Sequence, residues 1–207
     1  MAIVKHSMGR QQEVSSALAE RGVIRCPWAK GDLMIAYHDL EWGRPVHEDI
    51  RLFELLILEG AQAGLSWQCV LRKRETYRQA FAGFVPQAVA RFSAKKIERL
   101  MNNGGLIRNR LKLESAVQNA KAFIRVQKEF GSFDAWLWHY VDGQPRINRA
   151  TSPQDIPAST ALSDRLSRDL RSRGFNFVGS TICYSFMQAT GMVNDHLVKC
   201  HCHPIDL

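Results

Sequence analysis

Glu59 stands where a carboxylate is costly. Residues 52–58 read LFELLIL, apolar except for Glu54, and Glu59 follows directly, ahead of the small-residue run Gly60-Ala61-Gln62-Ala63-Gly64. The pattern is that of a helix buried on most sides, and an unpaired carboxylate in it carries a large desolvation penalty. Two arrangements remove that penalty. One is a fixed cation in the protein, such as a local arginine at the helix end; the other is a ligand that brings hydrogen-bond donors or positive charge. Trp67 lies eight positions on and offers a flat ring face, while Gly60 and Gly64 leave room for something to approach the backbone closely. Acid, indole and small residues together suit a flat, cationic ligand. Taken alone, the stretch leaves both arrangements open.

A second set of chemistry-bearing residues joins the two ends of the chain. Cys26 and His38 stand twelve apart near the start, and His196 and Cys200 four apart near the end. Two Cys and two His make the closed tetrahedral set that zinc accepts in structural sites, and the four-residue step puts the second pair on one face of a helix. Such a site clips residues 26–45 to the C-terminal tail. His201, Cys202 and His203 crowd the same tail as surface residues or alternative ligands. Five cysteines (26, 69, 183, 200 and 202) cannot all pair within one chain, and metal binding is the better use for some of them. A third signal is Asn102-Asn103-Gly104-Gly105-Leu106-Ile107, whose Asn and Gly residues supply the positive φ of a tight turn between helices. The backbone N–H groups at the start of the following helix can hold a phosphate, with Arg108, Arg110 and Lys112 beside them. An ordinary helix connection with a solvated basic face reads the same way.

The elements that must position these residues are helices. The chain has 207 residues, 45% hydrophobic, enough for one well-cored domain or a domain with a small lobe. A net charge of +8 favours a polyanion, and nucleic acid or an anionic membrane both fit. No apolar run approaches the roughly 18 residues needed to span a bilayer, and residues 1–25 lack the hydrophobic core of a secretory signal, so the expected location is the cytoplasm. Residues 1–25 form an extension with no assigned role, weakly amphipathic over 11–21. Residues 26–45, CPWAKGDLMIAYHDLEWGRP, are irregular, with too few apolar positions in register for a long helix. Their aromatics, Trp28 among them, either line a site or pack on the core as loop residues. Further on, a helix continues over 75–82 and a short one follows around 88–92. Ser93 caps a helix over 94–101, and a long helix runs from about 108 to 128. Residues 133–141 read as a short buried helix, and 161–173 as a helix with Leu162, Leu166 and Leu170 inward and Arg165, Arg168 and Arg171 outward. Residues 179–190 are apolar nearly all round and belong at the centre of the core. No stretch alternates with period two, and no repeat is found. The expected fold class is all-α.

The runs YHDLEWGRP (37–45), LEGAQAGLSW (58–67), GFNFVGSTICYSFMQATGMVNDH (174–196) and HLVKC (196–200) resemble the type I 3-methyladenine DNA glycosylases of bacteria, a branch of the helix-hairpin-helix superfamily. Several separate motifs agree in order and spacing, from about Cys26 to Cys202. The resemblance implies an all-α helix-hairpin-helix glycosylase domain over 26–207, with its hairpin at about 93–123. A small lobe, residues 26–45 plus 191–207, would be clipped by one structural zinc on Cys26, His38, His196 and Cys200. The implied activity is hydrolytic release of N3-methyladenine from double-stranded alkylated DNA by a monomer without lyase activity, with free 3-methyladenine as product ligand. Glu59, Tyr37 and Trp67 are implied as the base pocket, with Trp28, Trp42 and Met34 around them. Gly104, Gly105, Arg108 and Arg110 are the expected contacts to the DNA backbone, and no catalytic residue is assigned.

Several departures from the pattern stand out. Met34 occupies the position, three before the Tyr-His pair, where family members carry a tyrosine, which makes one wall of the pocket softer or differently selective. The hairpin departs from the superfamily's Leu-Pro-Gly-Val-Gly, no Lys lies within residues 102–107, and the superfamily's catalytic Asp is missing from its motif; these three are shared with the type I branch. Two rivals stand beside this reading: a non-catalytic helix-hairpin-helix DNA-binding module, and a glycosylase for another alkylated purine.

Overall fold

The computed structural model describes residues 22–204, so the extension expected over 1–25 lies outside the described residues except for its last four. Among the described residues the fold is α-helical, as the absence of period-two alternation predicts. Its centre is α2, Asp49–Gln62, which follows α1, Asp32–Leu40. Ten consecutive residues of α2, from Leu52 through Ala61, are buried. A helix hidden on that many faces has to be surrounded, and α2 packs against α3 (Trp67–Ala80), α6 (Arg110–Phe130), α7 (Phe133–Trp138) and α9 (Ser180–Ala189). Between α3 and α6 come the short α4 (Pro86–Val89) and α5 (Ala94–Met101), the latter capped by Ser93, whose side chain accepts from the Lys96 N–H. The arginine-faced helix, α8, is Ala161–Ser172, and it ends on Arg173 with Gly174 beyond at φ 88°. Leu166 and Leu170 are fully buried against the core, as their spacing predicts.

Four local expectations are corrected. The stretch 26–45 contains a nine-residue helix, α1, which buries Tyr37, His38 and Asp39 despite its mixed composition. Tertiary packing, rather than an apolar stripe, holds it. His196 and Cys200 do not lie on a helix: His196 precedes, and Cys200 closes, a turn in which Cys200 N–H donates to the Leu197 carbonyl at 2.7 Å. A two-residue parallel ladder, β1 (Arg146–Ile147) with β2 (Val193–Asn194), is present in an otherwise helical chain. Neither Gly104 nor Gly105 has positive φ. Gly105 is required for space instead, since a Cβ there would fall 2.6 Å from Thr76 Cγ2, whereas Gly104 faces nothing within 4 Å.

Gly191 joins the two ends. It follows the last turn of α9 at φ 70°, and a Cβ there would lie 2.2 Å from the Arg44 carbonyl carbon. Only glycine lets the 44–45 backbone cross the end of α9 this closely. Gly43 N–H then donates to Gln188 O and Val46 N–H to Thr190 O. A small second cluster of Cys26, Tyr37, Trp42, Leu71 and Cys200 forms where N-terminal and C-terminal segments meet. No helix among the described residues is long and apolar enough to cross a membrane.

Candidate functional site

The fixed cations of α2 belong to Glu54, not to Glu59. Glu54 is buried and takes Arg51 at 2.7 Å, Arg74 at 2.6 Å and Arg78 at 2.9 Å, while Glu41 bridges Arg51 and Arg74. Burial pushes the Glu54 carboxyl up, but Arg74 and Arg51 outweigh it and hold it below the ordinary range. Glu59, one helical turn and a residue further on, is equally hidden, at 4% exposure, and its Oε2 has no hydrogen-bond partner. Desolvation alone raises its pKa to about 8. The two acids sit on one helix and have opposite protonation tendencies because only one meets cations. Of the two arrangements open to Glu59, the arginine-paired one is excluded.

Glu59 looks into a cavity of about 240 Å³. The structure brings Trp28, Met34, Tyr37, Trp42 and Trp67 to the same cavity, so all six residues expected at the pocket line one space. The rings come from three places. Tyr37 is carried by α1, Trp67 opens α3 behind its Ser66 cap, and Trp28 and Trp42 flank α1. Tyr37 and Trp67 have centroids 5.3 Å apart at 53°, and Trp28 meets Trp42 edge-on at 5.0 Å. Burial, then the nearby Glu59, hold the Tyr37 hydroxyl protonated well above its usual range. Trp67 Nε1 is, like Glu59 Oε2, buried without a partner. Gln62, Ser185 and Gln188 line it as well. Sequence reading missed these three, because a polar residue on an apolar helix face carries no mark of which cavity it meets. Gly60 does not face a ligand; Phe177 packs over it, 3.2 Å from a built Cβ.

The rim is tied to the start of α6. Lys112, on the first turn of α6, donates to Ala61 O at 2.9 Å and Ala63 O at 2.6 Å, which satisfies carbonyls at the C-terminal end of α2. It is therefore turned away from the surface where Arg108 lies exposed. Arg110 is exposed but paired with Glu98 at 2.6 Å. The helix begins at Arg110 rather than 108, capped by Asn109, whose side chain accepts from the Lys112 N–H.

Cys26, His38, His196 and Cys200 come together behind the aromatic wall, all buried, with one ligand atom from each within 4.8 Å of the others. Cys200 Sγ lies 3.4 Å from His38 Nε2 and 3.5 Å from His196 Nδ1, and Cys26 Sγ lies 3.7 Å from His196 Nδ1. Tetrahedral zinc with its usual bond lengths to sulfur and nitrogen needs S···N edges of about 3.6 Å. The remaining ring nitrogens are held: His38 Nδ1 pairs with Asp39 at 2.7 Å and His196 Nε2 meets the Trp42 carbonyl at 3.0 Å. That outer shell is what a metal-ligating histidine carries. His201, by contrast, pairs with Asp39 at 3.0 Å, and His203 meets the Asn148 carbonyl at 3.1 Å. His38, Asp39, His201 and Cys202 form a second grouping that shares His38 with the first. Trp42 links the cluster to the pocket, its ring 4.7 Å from that of His196.

Fold and site define a helical protein with an aromatic receptor cleft whose floor is an unpaired acid. Comparison with known proteins gives the family. The sequence matches the methyladenine glycosylases over residues 28–203. It is 49% identical over 181 residues to DNA-3-methyladenine glycosylase 1 of Escherichia coli (strain K12), covering 87% of this chain and 97% of that one. It is 46% identical over 179 residues to DNA-3-methyladenine glycosylase of Haemophilus influenzae, covering 86% and 97%. A crystal structure of a 3-methyladenine DNA glycosylase I superposes with a TM-score of 0.86 at 50% identity, covering 87% of this chain and all of the other. A structure from Staphylococcus aureus, described as the basis of 3-methyladenine recognition by that enzyme, reaches 0.84 at 36% identity, covering 86% and 95%. The chain belongs to the methyladenine glycosylase family.

Proposed function

We propose that this chain is a DNA-3-methyladenine glycosylase that takes N3-methyladenine out of double-stranded alkylated DNA and leaves an abasic site. The observation that carries the reading is the buried, cation-free Glu59 on the floor of an aromatic cleft. Methylation at N3 leaves the adenine of the intact nucleotide cationic and a good leaving group. When the C1′–N9 bond breaks, its electron pair stays on the ring and the base departs neutral; a water oxygen bonds to C1′ and its proton passes to solvent. The chain's share is selection. Flipping an alkylated, weakly paired base costs less than flipping a normal one. Glu59 accepts hydrogen bonds from the adenine edge and gives its proton up as the cationic base docks, while Tyr37 and Trp67 supply ring faces worth about 1–3 kcal/mol each. Neutral adenine gains less from both. Met34 stands at the wall where the family's tyrosine would be, and leaves that side free of a phenol.

Residues 93–123 serve in this reading as the helix-hairpin-helix, with Gly104, Gly105, Arg108 and Arg110 along the DNA backbone. Arg108 is exposed and has no partner among the described residues, and Arg110 would trade Glu98 for a phosphate. Cys26, His38, His196 and Cys200 would hold one zinc, whose part is structural: it fastens the lobe formed by 26–45 and 191–207 and so fixes the wall bearing Trp28 and Trp42. Residues 26–207 would act as one domain and as a monomer, in the cytoplasm where the DNA is. The test is base release from methylated duplex DNA by the purified chain. Free 3-methyladenine is the expected product. A shift in DNA mobility without any released base would make the chain a binding module, and a different released purine would reassign the lesion.

A further inference from the structure

Gln188 lies on α9 at the wall of the cavity that contains Glu59. Its Nε2 donates to Asp195 Oδ2 at 2.7 Å. Asp195 is only 1% exposed, and it also accepts from the Tyr184 hydroxyl at 2.7 Å and from Asn148 Nδ2 at 2.7 Å. A carboxylate accepts and does not donate, so the amide must turn its nitrogen, not its oxygen, toward Asp195. Asn148 is itself set by the short ladder, where its N–H donates to Asn194 O at 3.0 Å. The orientation of Gln188 is thus imposed by a buried hub and not by any ligand. Its Oε1 is the amide atom left over from that bond, has no hydrogen-bond partner among the described residues, and keeps accessible surface on a residue that lines the cavity.

We infer that Gln188 is a specificity residue: its Oε1 is a second fixed acceptor beside Glu59, reads the exocyclic amino group of the base, and sets the preference for a 6-amino over a 6-oxo purine. The inference rests on the base-pocket reading above and divides it into two tasks. An amino group has two N–H donors, and Glu59 and Gln188 take one each. An oxo group in the same place presents a lone pair to the Gln188 oxygen and leaves that acceptor unpaired, which is the arrangement that rejects an analogue most strongly. Glu59 also responds to the charge of the base. The neutral Gln188 amide does not, so its removal changes selection by functional group and leaves selection for charge in place.

The experiment titrates parent protein, Gln188→Met and Gln188→Asn with free 3-methyladenine and with 3-methylhypoxanthine, which bears oxygen at position 6 and, with it, one ring N–H. Quenching of the pocket tryptophans reports binding, and melting curves report folding. Gln188→Met removes the acceptor at nearly equal length; Gln188→Asn keeps an amide for Asp195 but withdraws the oxygen from the cavity by one methylene, and it carries the test if the Met variant does not fold. The expected result is a loss of about 10-fold in 3-methyladenine affinity, the size of one net hydrogen bond. Affinity for 3-methylhypoxanthine should hold or rise, so the ratio of the two narrows by at least that factor. Equal losses for both bases, or no loss for either, would overturn the inference and leave Gln188 as packing while the base-pocket reading stands. A parent protein that binds neither base would overturn both.

Discussion

Replacing Glu59 by Gln tests the central argument through its pH dependence. In the folded chain burial holds the Glu59 carboxyl at about 8, against an ordinary 4.5. Below the ordinary value both folded and unfolded chains carry the proton, and Glu59 is neutral to stability. As pH rises from there towards 8 the unfolded chain ionises while the folded one keeps its proton, so the folded state binds more protons and loses stability. Each pH unit over which the two states differ by one proton costs about 1.4 kcal/mol, and the accumulated loss at pH 8 is about 5 kcal/mol. Glutamine has the same shape and does not titrate. The ligand-free Glu59→Gln variant should therefore match the parent near pH 4.5–5 and exceed it by several kcal/mol at pH 8. Urea unfolding of both proteins at the two pH values measures this, since contributions from the Cys and His residues cancel in the difference. In parallel, 3-methyladenine should bind the variant more weakly. A difference that does not change with pH would refute the reasoning. So would a variant about 3–5 kcal/mol less stable at both pH values, which is what breaking a buried ion pair produces.

The remaining predictions concern the Cys/His cluster and residues 104–110. Elemental analysis of purified protein should find one zinc per chain, and Cys200→Ser should lower both occupancy and melting temperature; full occupancy in that variant would move ligation to His201 or Cys202. Arg108→Ala should reduce the slope of log affinity for DNA against log salt by about one unit, as loss of one phosphate contact does. Arg110→Ala should reduce it by less because Glu98 already holds that guanidinium, and an unchanged slope for Arg108→Ala would take the DNA path elsewhere. Gly105→Ala should destabilise by about 1–3 kcal/mol through overpacking on Thr76, while Gly104→Ala should stay within about 0.5 kcal/mol. Equal melting of the two would show that Thr76 gives way freely.

Much of the site could be read from residue types. Glu59 is conspicuous because an acid that follows an apolar run has no solvated face to turn to, and Tyr37, Trp67 and the Cys and His residues are types that chemistry uses. Local signals with short reach were also legible, such as the cap at Ser93. Signals that depend on a partner far along the chain were not. Gly105 looks like a turn glycine, yet what it avoids is Thr76, twenty-nine positions earlier. Lys112 looks like one more basic residue beside a phosphate site, yet it is spent on the carbonyls of residues 61 and 63. The small helix α1 was invisible because its stability comes from packing against the Cys/His cluster and the pocket, not from its own periodicity.

The sequence by itself determined that this is an all-α chain built on an almost fully buried helix, that it is basic, and which family it belongs to. The first two follow from the 3.6-residue period and from composition; the family follows from the resemblance of its motif runs to those of known glycosylases. Tertiary structure alone decided how the two acids of α2 divide their roles. Glu54 and Glu59 differ by five positions and by nothing in their chemistry. Arg74 and Arg78 of α3 reach Glu54, and an aromatic cavity opens at Glu59, so one acid is an anion held in a network and the other an unpaired group with a pKa of about 8. Whether a carboxylate is paired depends on side chains that folding brings within about 4 Å, as the arginines are brought to Glu54, where their attraction outweighs its desolvation, and sequence separation carries no information about that distance.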